Sequence, residues 1–181
     1  MKKALLLLIA VATMALIARA VPAKAQTTLV SGDLIKIAGN SAVYYYGASG
    51  KRYVFPNEKT YKSWYANFSG VKTITATELA AIQIGGNVTY RPGVKMIKIQ
   101  SDPKVYAISK GSTLRWIQTE ALAVSLYGSD WNKKIDDLSD AFFTNYKTGS
   151  TITAASNYNP TDEMNGATTI NMDLSLTGSS S

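Results

Sequence analysis

The sequence predicts an α+β protein of two tandem small modules, each an antiparallel sheet containing a β-hairpin and packed by short helices. The middle of the chain reads twice: LIKIAGNSAVYYYGASGKRYVF, Leu34 to Phe55, is echoed by MIKIQSDPKVYAISKGSTLRW, Met96 to Trp116. β-branched and aromatic runs are separated by turn residues in both copies, and a short helix-forming stretch follows each. The offset is 62 residues at the start and reads as 61 once the turn glycines Gly50 and Gly111 are matched. A unit repeated at such spacing is a supersecondary block that gains stability by stacking on its copy.

The first module is expected over residues 32–92, after a short N-terminal extension at 26–31. Leu34, Ile35 and Ile37 make a strand, and Asn40-Ser41 turns the chain. Val43 to Phe55 reads as a hairpin, with Gly50 supplying the positive φ of its loop. Pro56 ends the strand because it cannot donate to a ladder. Asn57 then caps a helix on which Tyr61, Trp64 and Tyr65 share one side at i, i+3 and i+4. Val71 and Ile74 mark a brief extended segment, Thr77 a cap for a helix over residues 78–81, and Gly85-Gly86 a closing turn.

The second module, residues 93–149, repeats this order. Met96 to Ile99 is the first strand, Val105 to Ile108 and Leu114 to Ile117 the hairpin, and Thr119 to Tyr127 the helix. Ile135 then matches Ile74, Ser139-Asp140 matches Thr77-Glu78, and Gly149 matches Gly86. Pro92-Gly93 is a turn at the junction, where Arg91 is placed to support the interface. No Ser/Gly-rich linker separates the modules, so a rigid pair is expected. Residues 150–181 are dominated by Thr, Ser, Asn and Gly and read as a polar tail with one marginal strand.

Residues 1–25 have the form of a signal peptide. Lys2 and Lys3 precede an apolar run from Ala4 to Ala18, and Ala23-Lys24-Ala25 supplies the small residues of a cleavage site before Gln26. The run is shorter than the roughly 20 residues a membrane helix needs, so no stable span is expected after cleavage. Export to the extracellular space or cell surface follows. Four of the 19 basic residues lie in this segment, leaving 15 against 12 acidic residues, a net charge of +3. Nucleic acid binding wants a concentrated basic stripe and is not expected.

The chain has no cysteine and no histidine. Disulfide bracing is absent, and so are a His-based triad, imidazole zinc ligation and a histidine pH switch. Asp130, Asp136, Asp137 and Asp140 form the densest carboxylate cluster, but their spacing lacks the EF-hand pattern, and a solvated turn with a helix cap accounts for them. No catalytic constellation, cofactor or metal site is expected.

Aromatic side chains are the better lead. Strand alternation sets Tyr45 on the face opposite Tyr44 and Tyr46. With Tyr53, Trp64, Tyr90 and Trp116 it makes a platform for stacking on sugar rings, and Lys51-Arg52 adds local positive charge. Tyr45, Lys51, Arg52, Tyr53 and Tyr90 are the candidate ligand-binding residues.

The phrases VYYYGASGKRYVFPNEKTYKSWY, GGNVTYRPG, DPKVYAISKG and LRWI resemble an uncharacterised repeat-module family of secreted proteins, common in reduced-genome bacteria of the candidate phyla. Its pattern is a Val-Tyr strand, a Gly-Lys-Arg hairpin return, a short aromatic helix and a Val/Ile–Leu–Gly finish. The resemblance covers Leu34 to Gly149 and implies a cell-surface or wall-associated module. Lys51-Arg52 is not duplicated in the second copy, so a ligand role for that pair belongs to the first. The function expected is a non-catalytic surface module binding cell-wall glycan through exposed aromatics. The alternative is a structural or self-associating envelope component, surface-layer or appendage-like, whose partner is another envelope protein.

Overall fold

The structure, a computed structural model, describes residues 27–178. The segment read as a signal peptide, with Gln26, lies outside the described residues, as do residues 179–181. Among the described residues no helix is long and apolar enough to cross a membrane.

Two α+β modules of the same topology make up the molecule. The first contains β1 (Leu34–Ile37), β2 (Tyr44–Tyr46), β3 (Arg52–Val54), α1 (Glu58–Trp64), β4 (Val71–Ile74), α2 (Ala76–Ala80) and β5 (Ile84–Asn87). The second contains β6 (Met96–Ile99), β7 (Asp102–Ser109), β8 (Thr113–Trp116), α3 (Glu120–Tyr127), β9 (Ile135–Leu138), α4 (Asp140–Phe143) and β10 (Lys147–Thr148). Each forms a five-stranded sheet, in the orders β4-β1-β2-β3-β5 and β9-β6-β7-β8-β10.

The expected antiparallel sheet is confined to the three central strands. The outer strands pair in parallel, β4 with β1 and β5 with β3, and likewise β9 with β6 and β10 with β8. The helices cause this. A chain that leaves β3 through a helix re-enters the sheet in the direction it left, which is what a parallel pair requires. The sheets are therefore mixed.

Strand pairing sets the repeat register. Leu34 faces Tyr45 as Met96 faces Ala107, and Tyr46 faces Arg52 as Ile108 faces Leu114. The offset is thus 62 throughout the hairpin, and the apparent shift to 61 comes from matching glycine to glycine. Ser112, not Gly111, stands where Gly50 does, with φ of 57° against 71°. A left-handed backbone costs a non-glycine residue about 1–2 kcal/mol. Ser112 offsets part of it through a buried 2.9 Å hydrogen bond between its hydroxyl and that of Thr89, across the module junction. Val71 and Ile135 occupy matching pairs, so Ile135 corresponds to Val71 rather than to Ile74, whose counterpart is Leu138. Likewise Gly149 corresponds to Gly85, because Ile84 sits beside Arg52 as Thr148 sits beside Leu114.

Helix starts follow capping chemistry. The Asn57 side chain accepts from the Thr60 amide at 2.8 Å, and Thr119 caps α3. For α2 the cap is Thr75, not Thr77: Thr75-x-x-Glu78 is a capping box, and Thr77 falls inside the helix. Glu78 also accepts from the Thr27 amide, docking the N-terminal extension. Those amide donors, Thr27 then Thr75, hold its carboxyl down at about 2.

Each sheet buries both faces. Leu34, Tyr45, Tyr53, Phe55 and Tyr61 pack between the first sheet and α1, while Ile35, Ile74 and Leu79 pack beneath α2. In the second module Met96, Ala107, Ile117, Ala123 and Tyr127 fill the α3 side, and Ile97, Ile108, Leu114 and Leu138 the other.

The largest departure from expectation is the polar tail, which is part of the fold. Ile152 bridges Ile117 in parallel and is fully buried in the second core with Tyr158. Two helices follow, α5 (Pro160–Gly166) and α6 (Ile170–Asp173). Ile170 is 0% exposed and belongs to the core of the first module. Asn171 accepts from the Ala48 amide at 2.9 Å on the first hairpin turn, while Asp173 accepts from the Gly111 amide at 2.9 Å on the second. Glu163 accepts from the Ser109 hydroxyl and the Lys110 amide. α5 lies so close to Gly93 that a β-carbon there would strike the Pro160 carbonyl. The polar composition is capping chemistry: Asn159 caps α5 and Thr169 caps α6. Buried anchors spaced far apart do the rest, and composition averages over them.

Ile170→Ala should destabilise the whole protein by about 2–5 kcal/mol. Urea unfolding followed at the tryptophans should show one lowered transition rather than loss of the tail alone.

Asp173 is 1% exposed, and one of its carboxylate oxygens has no hydrogen-bond partner. Burial, opposed by the Gly111 amide and the Lys110 charge, pushes its pKa up to about 6. The folded state then holds a proton that the unfolded chain has released. Stability from this group is present at low pH and falls as pH rises from about 4 to about 6, by about 2–3 kcal/mol. Asp173→Asn should flatten that part of the stability–pH curve, measured by thermal unfolding against wild type.

Candidate functional site

The residues proposed from sequence do not converge on one surface. Tyr45 is 2% exposed, Tyr53 7% and Tyr90 1%. Alternation does set Tyr45 opposite Tyr44 and Tyr46, but α1 covers the Tyr45 face, so Tyr45 is core and cannot stack on a ligand. Tyr53 packs beside it. Arg52 donates to the Leu79 carbonyl and lies 5.2 Å from the centre of the Tyr44 ring, a structural tie to α2. Lys51 is exposed at the hairpin turn. Tyr90 sits at the junction, its amide donating to the Tyr146 hydroxyl at 3.1 Å, and burial raises its own pKa. Trp64 is a strut as well: its indole N–H donates to the Thr89 carbonyl at 2.8 Å and Arg91 lies over its ring.

Trp116 is different. It lines a cleft of about 300 Å³ with Pro103, Lys104, Val105, Ile117, Gln118, Thr119, Glu120, Ala123 and Trp131. A second cleft, of about 560 Å³, is lined by Ser41, Ala42, Val43, Val54, Phe55, Pro56, Asn57, Glu58, Tyr61, Phe68, Asn87 and Phe142. These are one site occurring twice. Nine lining positions, from Ser41 and Pro103 to Tyr61 and Ala123, are related by the repeat offset of 62. Phe68 and Trp131 form the matching outer wall one residue further on.

The fold makes the cleft wherever the module occurs. The lead-in to the hairpin's first strand, the end of its return strand and the capped start of the following helix line it, and the loop after the helix closes the far side. Side chains then exchange volume across it. The first module has Val54 on the strand and Tyr61 on the helix; the second has Trp116 and Ala123. Such compensating swaps keep a packed region filled with different residues.

Aromatic surface remains open at both mouths. Phe68 is 44% exposed and stacks on Tyr61 at 4.2 Å and 15°. Trp116 and Trp131 are half-buried. The Lys104 ammonium lies 5.5 Å from the centre of the Trp116 ring and 3.6 Å from Asp102. The Lys104 amide and then the Tyr106 hydroxyl, donating to Asp102, hold that carboxyl below its ordinary range. At the first cleft Glu58 pairs with Lys62 at 2.7 Å, and the adjoining Lys59 reaches Asp136 at 3.6 Å.

Each cleft is lined by one carboxylate, Glu58 or Glu120, which can accept hydrogen bonds from a ligand. The Asp136, Asp137 and Asp140 cluster lies on β9 and at the start of α4 rather than in a solvated turn. Asp136 pairs with Lys59 and Lys95, and Asp137 with Lys98.

Comparison of the chain with protein-family models, with curated proteins and with solved structures returns no match.

Phe68, Lys104 and Trp131 are not reached by the sequence reading of single residues, and Glu120 is reached only as a first-turn carboxylate of a helix. The signal that reaches them is the repeat itself, once read in the register set by the strands.

Tyr45→Ala should cost about 3–5 kcal/mol of stability, as large-to-small changes in a core do. Phe68→Ala should cost under about 1 kcal/mol, because much of its ring already faces solvent. Chemical denaturation of the two variants separates a core residue from a surface one.

Proposed function

We propose that this chain is an exported, non-catalytic module of the cell surface that binds wall glycan in its two aromatic clefts. The observation that carries this reading is the repetition of one cleft, at matching positions, with half-exposed aromatic rings at each mouth. A pyranose ring presents a face of C–H groups that packs on an aromatic ring, and its hydroxyls need acceptors and donors at the edge. Phe68 in one cleft, and Trp116 and Trp131 in the other, are suited to the first task. Glu58 and Asn57, with Glu120 and Gln118, are suited to the second. The signal-like segment at residues 1–25 and the resemblance to a secreted repeat family support placement at the surface.

A self-associating envelope component is the second reading, favoured by the edge strand β5, where Ile84 is 64% exposed. Unpaired edges with apolar side chains invite strand pairing between chains.

Purified protein incubated with isolated envelopes and with a glycan array, alongside light scattering, separates the two. Pull-down of a monomer that weakens at least tenfold in a combined Phe68→Ala, Trp116→Ala variant is the expected result. Concentration-dependent assembly without glycan retention would favour the lattice component.

A further inference from the structure

We infer that the ligand is a neutral, regularly repeating polysaccharide held at two points at once, one in each cleft. This rests on the glycan reading above and adds the number of contact points, the regularity of the ligand and its charge.

The first argument is the register. The constant offset gives both clefts the same backbone frame, so a ligand unit that fits between strand and helix in one finds the same frame in the other. A repeating polymer is the class of molecule that offers the same unit twice.

The second argument is rigidity. Phe142, from the second module, is a wall of the first module's cleft. Around it the modules are tied by Asn87 to Asn145 at 3.0 Å, by the buried Thr89–Ser112 hydrogen bond and by Lys59 to Asp136. Ile170 adds the tail's anchor on the first core. The spacing between the clefts is therefore set by the fold. Two sites at fixed spacing turn the second binding event into an intramolecular one, provided the ligand repeats with a period that reaches both.

The third argument is charge. Lys104, which lines the second cleft, is paired with Asp102. Beside the first cleft Lys62 pairs with Glu58 and Lys59 with Asp136, while Lys36 stands near Ser41, Val43 and Phe68 without such a pair among the described residues. Glu120 adds a negative charge at the second cleft. A polyanion entering the second cleft would have to displace Asp102 and meet Glu120. That cleft therefore selects against phosphate- or uronate-rich polymers, and a ligand held at both points is accepted as a neutral chain.

The test is calorimetric titration of the full mature protein with β-1,4-linked glucose and N-acetylglucosamine series, each as a disaccharide and as a long chain made water-soluble by hydroxyethyl substitution, with polygalacturonate as the anionic probe. Expected are two disaccharides bound per chain and a long polymer bound about a hundredfold or more tighter than the disaccharide. Trp116→Ala and Phe68→Ala, each alone, should return the polymer to disaccharide-level affinity and reduce the stoichiometry to one. Wild-type stoichiometry and length dependence stand as a readout even where a variant unfolds. Disaccharide binding with no gain on lengthening would overturn two-point attachment while leaving the glycan reading intact. Preference for polygalacturonate would overturn the neutral ligand. Failure of every saccharide to bind would remove both.

Discussion

The burial of Ile170 is the contact on which the arrangement of the molecule depends. It enters the core of the first module from a helix whose Asp173 grips the hairpin turn of the second. Both modules draw core residues from the tail, Ile170 in the first and Ile152 with Tyr158 in the second. Fully burying one isoleucine contributes about 1.5–3 kcal/mol. The tail places several such anchors across both modules and ties them with amide hydrogen bonds to their turns. A pair of small sheets, each marginal by itself, becomes one cooperative body in this way.

Duplication with a constant register has a second consequence. Strand pairing and the side-chain caps of α1 and α3 are held in common, while the side chains between them diverge and leave clefts of about 560 and 300 Å³. The Val54–Tyr61 and Trp116–Ala123 exchange shows how far that divergence goes. The backbone fixes where a cleft lies, and the choice of side chain fixes what its walls present. Ser112 shows the reverse limit. The turn demands a left-handed residue, and a serine is accepted there because its hydroxyl has a buried partner across the junction.

Much of this was legible beforehand. The hairpins, the cap at Asn57, the buried side of α1 and the tandem architecture follow from periods of two to four residues and from turn chemistry. The errors have physical causes. Matching Gly111 to Gly50 treated glycine as the sole carrier of positive φ. Composition makes the tail look unstructured, although Asn159 and Thr169 cap helices and Ile152, Tyr158 and Ile170 are buried anchors. Strand alternation predicts an exposed aromatic face for Tyr45 on the premise that only one face of the sheet packs inward, yet both faces are covered, and Tyr45, Tyr53 and Tyr90 are buried.

Local pattern suffices for the two modules, their central hairpins and the alternation that separates Tyr45 from its neighbours, since each depends on residues a few positions apart. The strand at Gly85-Gly86, expected as a turn, the covered face of each sheet, the place of the tail and the open aromatic rings come from packing over long sequence distances. Those outcomes depend on contacts between distant parts of the chain, such as Asn171 with Ala48, 123 residues away. Burial belongs to whatever packs on top, and no local pattern records what that is.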